Sequence, residues 1–238
     1  MRTIAIITDI HGNRPALQSV WDDLDTRGVD HIYCLGDLVA IGPDSNEILE
    51  MITARSSITT IAGNHEQAVL AAYDGIAPPK GHHQERKHHE WIASRLNPLY
   101  VPFLRELPPK WEEVIEGHSF LFTHYHMDGQ QELLPIDKNP SAEKLDQIYQ
   151  GIHVDAVCFG HHHVIHHFHS ASIYINPGSL GCNSHPLARY AVLQISEAGI
   201  EVEYLAIPYE RQEFIESYEA LQLPDWNFIL KAFHGVER

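Results

Sequence analysis

Residues 4–13 read Ile4-Ala5-Ile6-Ile7-Thr8-Asp9-Ile10-His11-Gly12-Asn13, a β-rich apolar run that stops at two side chains able to bind metal. Short apolar runs bounded by turn residues predict a buried strand. Behind it, Leu17, Val20, Trp21 and Leu24 recur at helical spacing, with Pro15 near the start. The pattern then repeats. His31 to Leu35 ends at Gly36-Asp37, and a helix follows through Ile48, Leu49, Met51 and Ile52 with Asp44 or Ser45 as its cap. Ser57 to Ala62 ends at Gly63-Asn64-His65. Three strands that end in polar residues, with helices between them, predict an α/β fold whose ligand sits at the carboxyl ends of the strands.

From Glu66 to Pro109 the strand signals vanish. Trp91, Ile92, Leu96, Leu99, Phe103 and Leu104 suggest helices, broken at Pro98 and at Pro108-Pro109. We read residues 66–110 as a helical insertion over the site, within a single domain of residues 1–238. Its apolar residues predict a packed helix pair, and its polar ones, Arg86 and His88 among them, a lid that selects substrate. The second half returns to strands at Ser119–Thr123, Asp155–Phe159, Val164–Phe168, Ile173–Ile175, Tyr190–Ile195 and Glu201–Ile207. These predict a second, partly antiparallel sheet. Phe214, Tyr218, Leu221 and Trp226 suggest C-terminal helical packing.

Composition narrows the function classes. The chain of 238 residues has 32 acidic against 16 basic side chains, a formal charge of −16 that opposes nucleic acids and anionic membrane surfaces. No apolar run approaches the roughly 18 residues of a membrane helix. The N-terminal run leads straight into Asp9 and His11, so it reads as a strand and not a signal peptide. Three cysteines, Cys34, Cys158 and Cys182, are expected to be reduced thiols outside the chemistry, in a cytoplasmic protein. Nineteen histidines are an excess. His82, His83, His88 and His89 lie among charged residues and read as a solvated face, not as a metal site.

Five islands carry the chemistry: Asp9-Ile10-His11-Gly12-Asn13, Gly36-Asp37, Gly63-Asn64-His65-Glu66, Thr123-His124 and Gly160-His161-His162-His163. In an extended segment alternate residues face the same way, which lets Asp9 and His11 share an ion. The same reasoning pairs His161 with His163 and turns His162 away. Mixed imidazole and carboxylate donors suit first-row transition metals better than magnesium or calcium. Any one island has a plainer reading as a turn residue or a hydrogen-bonded structural histidine. Five in this order point to a metal centre.

That order resembles the calcineurin-like metallophosphoesterase superfamily, in particular its small bacterial and archaeal members. Gly36-Asp37-Leu38-Val39-Ala40-Ile41-Gly42-Pro43 and Asn176-Pro177-Gly178-Ser179 add to the likeness. The resemblance implies two mixed β-sheets packed as a sandwich flanked by helices. It implies two divalent metals, manganese foremost and iron, zinc or nickel as alternatives. Asp9, His11, Asp37 and His163 would hold one; Asp37, Asn64, His124 and His161 would hold the other, with Asp37 bridging. His65 would contact phosphate and assist the leaving group, Asn64 would also face substrate, and Asn13 would line the pocket. The implied reaction is hydrolysis of a small-molecule phosphodiester or phosphomonoester by a metal-bridging hydroxide.

Four positions depart from the pattern. Ala40 and Ile41 stand where phosphoprotein phosphatases carry an Asp-Arg pair, which argues against that activity and against symmetrical dinucleotide hydrolysis. Tyr125 replaces a small residue and is expected to narrow the pocket, while His126 is the neighbour from which motif position distinguishes the ligand His124. His162 replaces a threonine. The alternative enzyme reading is asymmetric cleavage of a dinucleoside polyphosphate. A non-catalytic scaffold of the same fold and a histidine-rich metal store rank below it, since every expected ligand type is present.

Overall fold

Strand β1 (Arg2–Ile7) sends Ile4 and Ile6 to one side and Ala5 and Ile7 to the other, and all four are fully buried. A strand apolar on both faces must lie in a sheet covered on both sides. The computed structural model, which describes residues 1–128, 133–137 and 139–237, has that architecture. After β1 come α1 (Arg14–Arg27), β2 (His31–Cys34), α2 (Ser45–Thr53) and β3 (Ile58–Thr60). A helical stretch follows: α3 (Asn64–Tyr73), α4 (Arg86–Arg95) and α5 (Val101–Glu106), with a 3₁₀ turn at Pro98–Tyr100. The rest is β4 (Lys110–Ile115), β5 (His118–Thr123), α6 (Ala142–Ile148), β6 (Ala156–Cys158), β7 (Ile165–His169), β8 (Ile173–Pro177), β9 (Leu187–Ser196), β10 (Gly199–Pro208), α7 (Gln212–Ala220) and α8 (Trp226–His234).

Two five-stranded mixed sheets result, in the orders β10-β9-β1-β2-β3 and β4-β5-β6-β8-β7. Ile4, Ile6, Tyr33 and Leu35 meet Phe120, Phe122, Cys158 and Ile175 between the sheets. On the outer face of the first sheet, Ala5, Ile7, Ile32 and Cys34 pack against Leu17, Val20, Trp21 and Leu24 of α1 and Ile48, Leu49 and Ile52 of α2. Leu145 and Tyr149 cover the outer face of the second sheet, against Val157 and Tyr174. The sandwich with flanking helices is therefore present.

Three expectations are corrected. β9 joins the first sheet by antiparallel pairing with β1, and β10 by antiparallel pairing with β9, so the second-half strands divide between the sheets. β4 went unanticipated because Lys110–Ile115 is a largely exposed edge strand without an apolar run. Leu99, expected in the helix packing, is 82% exposed, whereas Leu96 is buried and Trp91 and Phe103 are partly so. Among the described residues no helix is long and apolar enough to cross a membrane.

The feature that positions the site is strand direction. β1, β2 and β3 run parallel, and so do β5, β6 and β8. The loops after these strands carry all five sequence islands.

Candidate metal centre

Asp9 and His11 follow β1, Asp37 follows β2, and Asn64 and His65 open α3 just after β3. His124 directly follows β5, while His161 and His163 follow β6. The first two loops run side by side, with Asp9 N donating to the Gly36 carbonyl at 3.1 Å and His11 N to the Asp37 carbonyl at 2.9 Å. Asp9, His11, Asp37, His161 and His163 all take left-handed backbone, with φ of 54°, 49°, 55°, 66° and 57°. Such conformations cost on the order of 1–3 kcal/mol each and collect at functional sites. The convergence of Asp9 with His11 thus comes from sharp turns beyond β1, not from strand alternation. Close approach also requires glycine at Gly160, where a Cβ would lie 2.1 Å from Thr8 Oγ1 and 2.7 Å from Asp9 Oδ2.

Two donor sets form. In the first, His11 Nε2 lies 3.1 Å from His163 Nε2, 3.8 Å from Asp9 Oδ1 and 3.7 Å from Asp37 Oδ2. His163 Nε2 is 3.3 Å from Asp9 Oδ1. In the second, His124 Nε2 lies 3.1 Å from Asp37 Oδ2 and 3.0 Å from Asn64 Oδ1, and donor atoms of Asp37, His124 and His161 lie within 4.8 Å of one another. Asp37 takes part in both sets. His161 and His163 therefore face different sets, against the expectation that they pair.

The donor chemistry fits divalent metal. Asp9, His11, Asp37 and His124 are at most 1% exposed, and among the described residues every ion pair of the two aspartates is with a histidine. Two buried carboxylates without Lys or Arg need another source of positive charge. His124 donates Nδ1–H to the Leu35 carbonyl at 2.7 Å, which leaves Nε2 aimed at two oxygens. That backbone tether is the usual support of a metal-binding imidazole.

The electrostatics agree. Burial raises the Asp9 carboxyl, but the charge and hydrogen bond of His163 and the charge of His124 outweigh it and bring the pKa down to about 2. Burial likewise opposes ionisation of Asp37, and the His124 and His65 charges hold it well below the usual carboxylate range. Desolvation lowers His11 to about 4 and His161 to about 3, so both are neutral and free to ligate near pH 7. Burial also disfavours a charged His124, yet Asp37 holds it protonated, with a pKa of about 10. A cation is the natural replacement for that proton.

A sequence model of the calcineurin-like phosphoesterase superfamily domain matches residues 1–198 of the 238. The chain belongs to that superfamily. It is a metal-dependent phosphoric ester hydrolase of the calcineurin-like kind. Among its relatives, the uncharacterized protein MJ0912 of Methanocaldococcus jannaschii is 27% identical over 250 residues, covering 94% of each chain. A symmetrical bis(5'-nucleosyl)-tetraphosphatase of Erwinia tasmaniensis is 40% identical over 77 residues, which span 32% of this chain and 28% of that one. In fold, a hypothetical protein of Pyrococcus horikoshii superposes over the whole of both chains with a TM-score of 0.80 at 17% identity. A metallophosphoesterase of Sphaerobacter thermophilus superposes with a TM-score of 0.72 at 21% identity, over 94% of this chain and 95% of that one.

In this calcineurin-like chain the donor sets open into a cavity of about 510 Å³. Asp37, Asn64, His65, His161 and His163 form its floor, and Lys80, His82 and Glu85 form a wall from the segment between α3 and α4. His65 is held by its backbone N–H, which donates to Asp37 Oδ1 at 2.9 Å, and by its ring, whose Nδ1 lies 3.0 Å from His89 Nε2.

Several expected placements are corrected. Asn13 does not line the cavity; its Oδ1 accepts from Ala16 N to cap α1, and its Nδ2 donates to the Gly181 carbonyl and Tyr209 Oη at 2.8 and 3.0 Å. Tyr125 is buried behind His161 in the core of the second sheet and does not narrow the opening. Two neighbours are not corrections: His126 packs edge-on against Tyr149, and His162 turns away from the donor sets to His166. His88 and His89 are not solvated. They are 5% and 1% exposed, because α4 turns them inward with Ile92 and Ala93 while Arg86, Lys87 and Glu90 face water.

Sequence reasoning missed three contributors. Glu66 is fully buried, and its carboxylate accepts from the backbone N–H groups of Gly63, Asp37, Leu38 and Val39, tying two ligand loops together. Burial and the Asp37 charge raise its pKa to about 7, against the pull of those donors. Its capping spacing, three residues after Gly63, was the available signal. Cys182 lies within 4.8 Å of the donors of His11 and His163 as a neutral thiol, its pKa raised by burial. No local pattern marks it. His89 was hidden by its charged neighbours.

Proposed function

We propose that this phosphoesterase hydrolyses a small-molecule phosphodiester or phosphomonoester at two divalent transition-metal ions. Asp9, His11, Asp37 and His163 hold one; Asp37, Asn64, His124 and His161 hold the other. The observation that carries the reading is Asp37, whose Oδ2 lies 3.7 Å from His11 Nε2 and 3.1 Å from His124 Nε2, one from each donor set. When bound, such a pair of cations supplies Lewis acidity toward phosphate oxygens and lowers the pKa of a water. The chain supplies the rest. Thr8 Oγ1 and the His161 backbone N–H hold the Asp9 carboxylate, and Glu66 fixes the loop that presents Asp37. Engaged through Nδ1, His65 keeps Nε2 for substrate, where it can steady the departing oxygen or give it a proton. Asn64 joins it at the cavity floor.

Residues 66–110 act in this reading as a specificity wall inside the single domain of residues 1–238. Lys80, the one cationic side chain among the described residues that line the cavity, suits an anionic ester. Manganese leads among the candidate metals, with iron, zinc and nickel behind it. A charge of −16 disfavours nucleic acid as substrate, and three buried free thiols accord with a cytoplasmic location. A second reading, asymmetric cleavage of a dinucleoside polyphosphate, draws on the segment shared with symmetrical tetraphosphatases for its substrate class. Metal analysis of the purified protein, followed by an ester screen with Mn²⁺, Zn²⁺, Fe²⁺ and Ni²⁺, tests both. At least two metals and turnover of a small ester support the first; preference for dinucleoside polyphosphates supports the second. Absence of bound metal and of turnover with every ester defeats both.

A further inference from the structure

Beside the binuclear centre, the wall between α3 and α4 gathers a separate set of donors. His65, His82, Glu85 and His89 each offer one atom, and all four atoms lie within 4.8 Å of one another. His65 Nδ1 is 3.0 Å from His89 Nε2. Glu85 Oε2 is 2.7 Å from His82 Nδ1 and 4.0 Å from His89 Nε2. The geometry points to a third metal site, of the tetrahedral zinc type, built from three imidazoles and one carboxylate. In such a site with bonds of about 2.0–2.1 Å, neighbouring ligand atoms stand about 3.3–3.4 Å apart. The separations of 2.7, 3.0 and 4.0 Å straddle that value, and each lies within about 0.7 Å of it.

The local fold supports it. Glu85 holds the N-cap position of α4 without a capping bond and His89 sits one turn on, so the two share a helix face. His82 reaches the same point from the preceding loop, and His65 approaches from α3 opposite. The inner pair is buried, with His65 9% and His89 1% exposed, while His82 and Glu85 border the cavity and give an ion a path in. His89 Nδ1 is buried without a hydrogen-bond partner, so the ring's one engaged nitrogen is the Nε2 that faces this cluster. An all-protein arrangement is poorer, because two imidazole nitrogens 3.0 Å apart share one proton and the carboxylate reaches only the outer histidine closely.

A consequence follows for catalysis, and it alone rests on the proposed hydrolysis. Coordination at Nδ1 places the proton of a neutral His65 on Nε2, the nitrogen left for substrate. The third ion would then fix the donor tautomer that a leaving oxygen needs.

Stoichiometry tests the site without reference to turnover. Metal-free protein is loaded with Zn²⁺, freed of excess by gel filtration, and its bound zinc is counted by plasma mass spectrometry. The same is done with His82→Ala, Glu85→Gln and the double variant, all at positions that border the cavity and lie outside the hydrophobic core. The double variant should hold about one equivalent less than the parent. Loading with Co²⁺ should give the parent an intense tetrahedral visible band that the double variant lacks. Equal zinc content and equal cobalt spectra in parent and double variant overturn the site, even if the parent binds extra zinc elsewhere. Inactivity of a fully loaded parent toward every ester would count against the hydrolase reading and leave this difference in zinc untouched.

Discussion

The strand-end loops and the helical wall both present histidines to one cavity, but they hold them differently. In the loops, His11, His161 and His163 sit on left-handed backbone fixed by parallel strands, by Glu66 and by the close approach at Gly160. In the wall, His82, His88 and His89 belong to an ordinary helix and its lead-in, where Arg86 pairs with Glu90 in solvent. Strain and buried charge belong to the loops, which have no freedom to vary without losing the donors. The wall's histidines keep their contacts without left-handed backbone. In the proposed function, hydrolysis belongs to the loops and substrate choice to the wall.

The sharpest way to break that contrast is Asp37→Asn, which removes the carboxylate common to both donor sets. Metal at one or both positions and nearly all turnover should disappear, as measured by metal analysis and ester hydrolysis. A variant with both ions and normal activity would refute the shared role. His65→Asn should come next, with kcat reduced roughly 10²–10⁴-fold while the ions held around Asp37 remain. The loss should shrink for p-nitrophenolate, a leaving group that needs no proton. Equal losses for p-nitrophenolate and alkoxide leaving groups would favour charge stabilisation over proton donation.

The wall should answer more weakly and more selectively. Lys80→Ala should lower kcat/KM several-fold more for a bulky nucleotide ester than for a small aryl phosphate, with melting temperature and metal content unchanged. Arg86→Ala, on the solvent side, should alter neither. Identical substrate rankings in Lys80→Ala and the parent would leave the segment a packing role only.

The last test concerns pH and reads stability, not turnover. His88 Nε2 accepts from Ile41 N at 2.8 Å, and desolvation lowers its pKa to about 4 from the usual 6.5. Between those values the unfolded chain binds more protons than the folded one. The contribution is therefore complete above pH 6.5 and is lost as pH falls through 4. Its size is on the order of 3 kcal/mol. Denaturant unfolding of metal-free protein should show that decline, and His88→Gln should flatten it. An unchanged slope would mean that other groups carry the acid sensitivity.

The metal-binding candidates were legible because each stands at the end of a short apolar run, a pattern written within ten residues of chain. The first three strands were legible for the same reason. Asn13 shows the limit: its place beside the motif suggested substrate, while its amide is spent on α1, Gly181 and Tyr209. His88 and His89 show it from the other side, since their charged neighbours face water and they do not.

By itself, then, the sequence determined the donor types, the strands that carry them and the superfamily. Tertiary structure alone decided which donors meet. His11 faces His163 across 152 residues of chain, and Cys182 joins them from the loop after β8, at a position no metal motif marks. It also decided that β9 and β10 complete the first sheet, and that the wall histidines gather around His65. Periodicity and capping act over a few residues and can be read along the chain. Burial and donor convergence depend on what packs opposite, which no local pattern specifies.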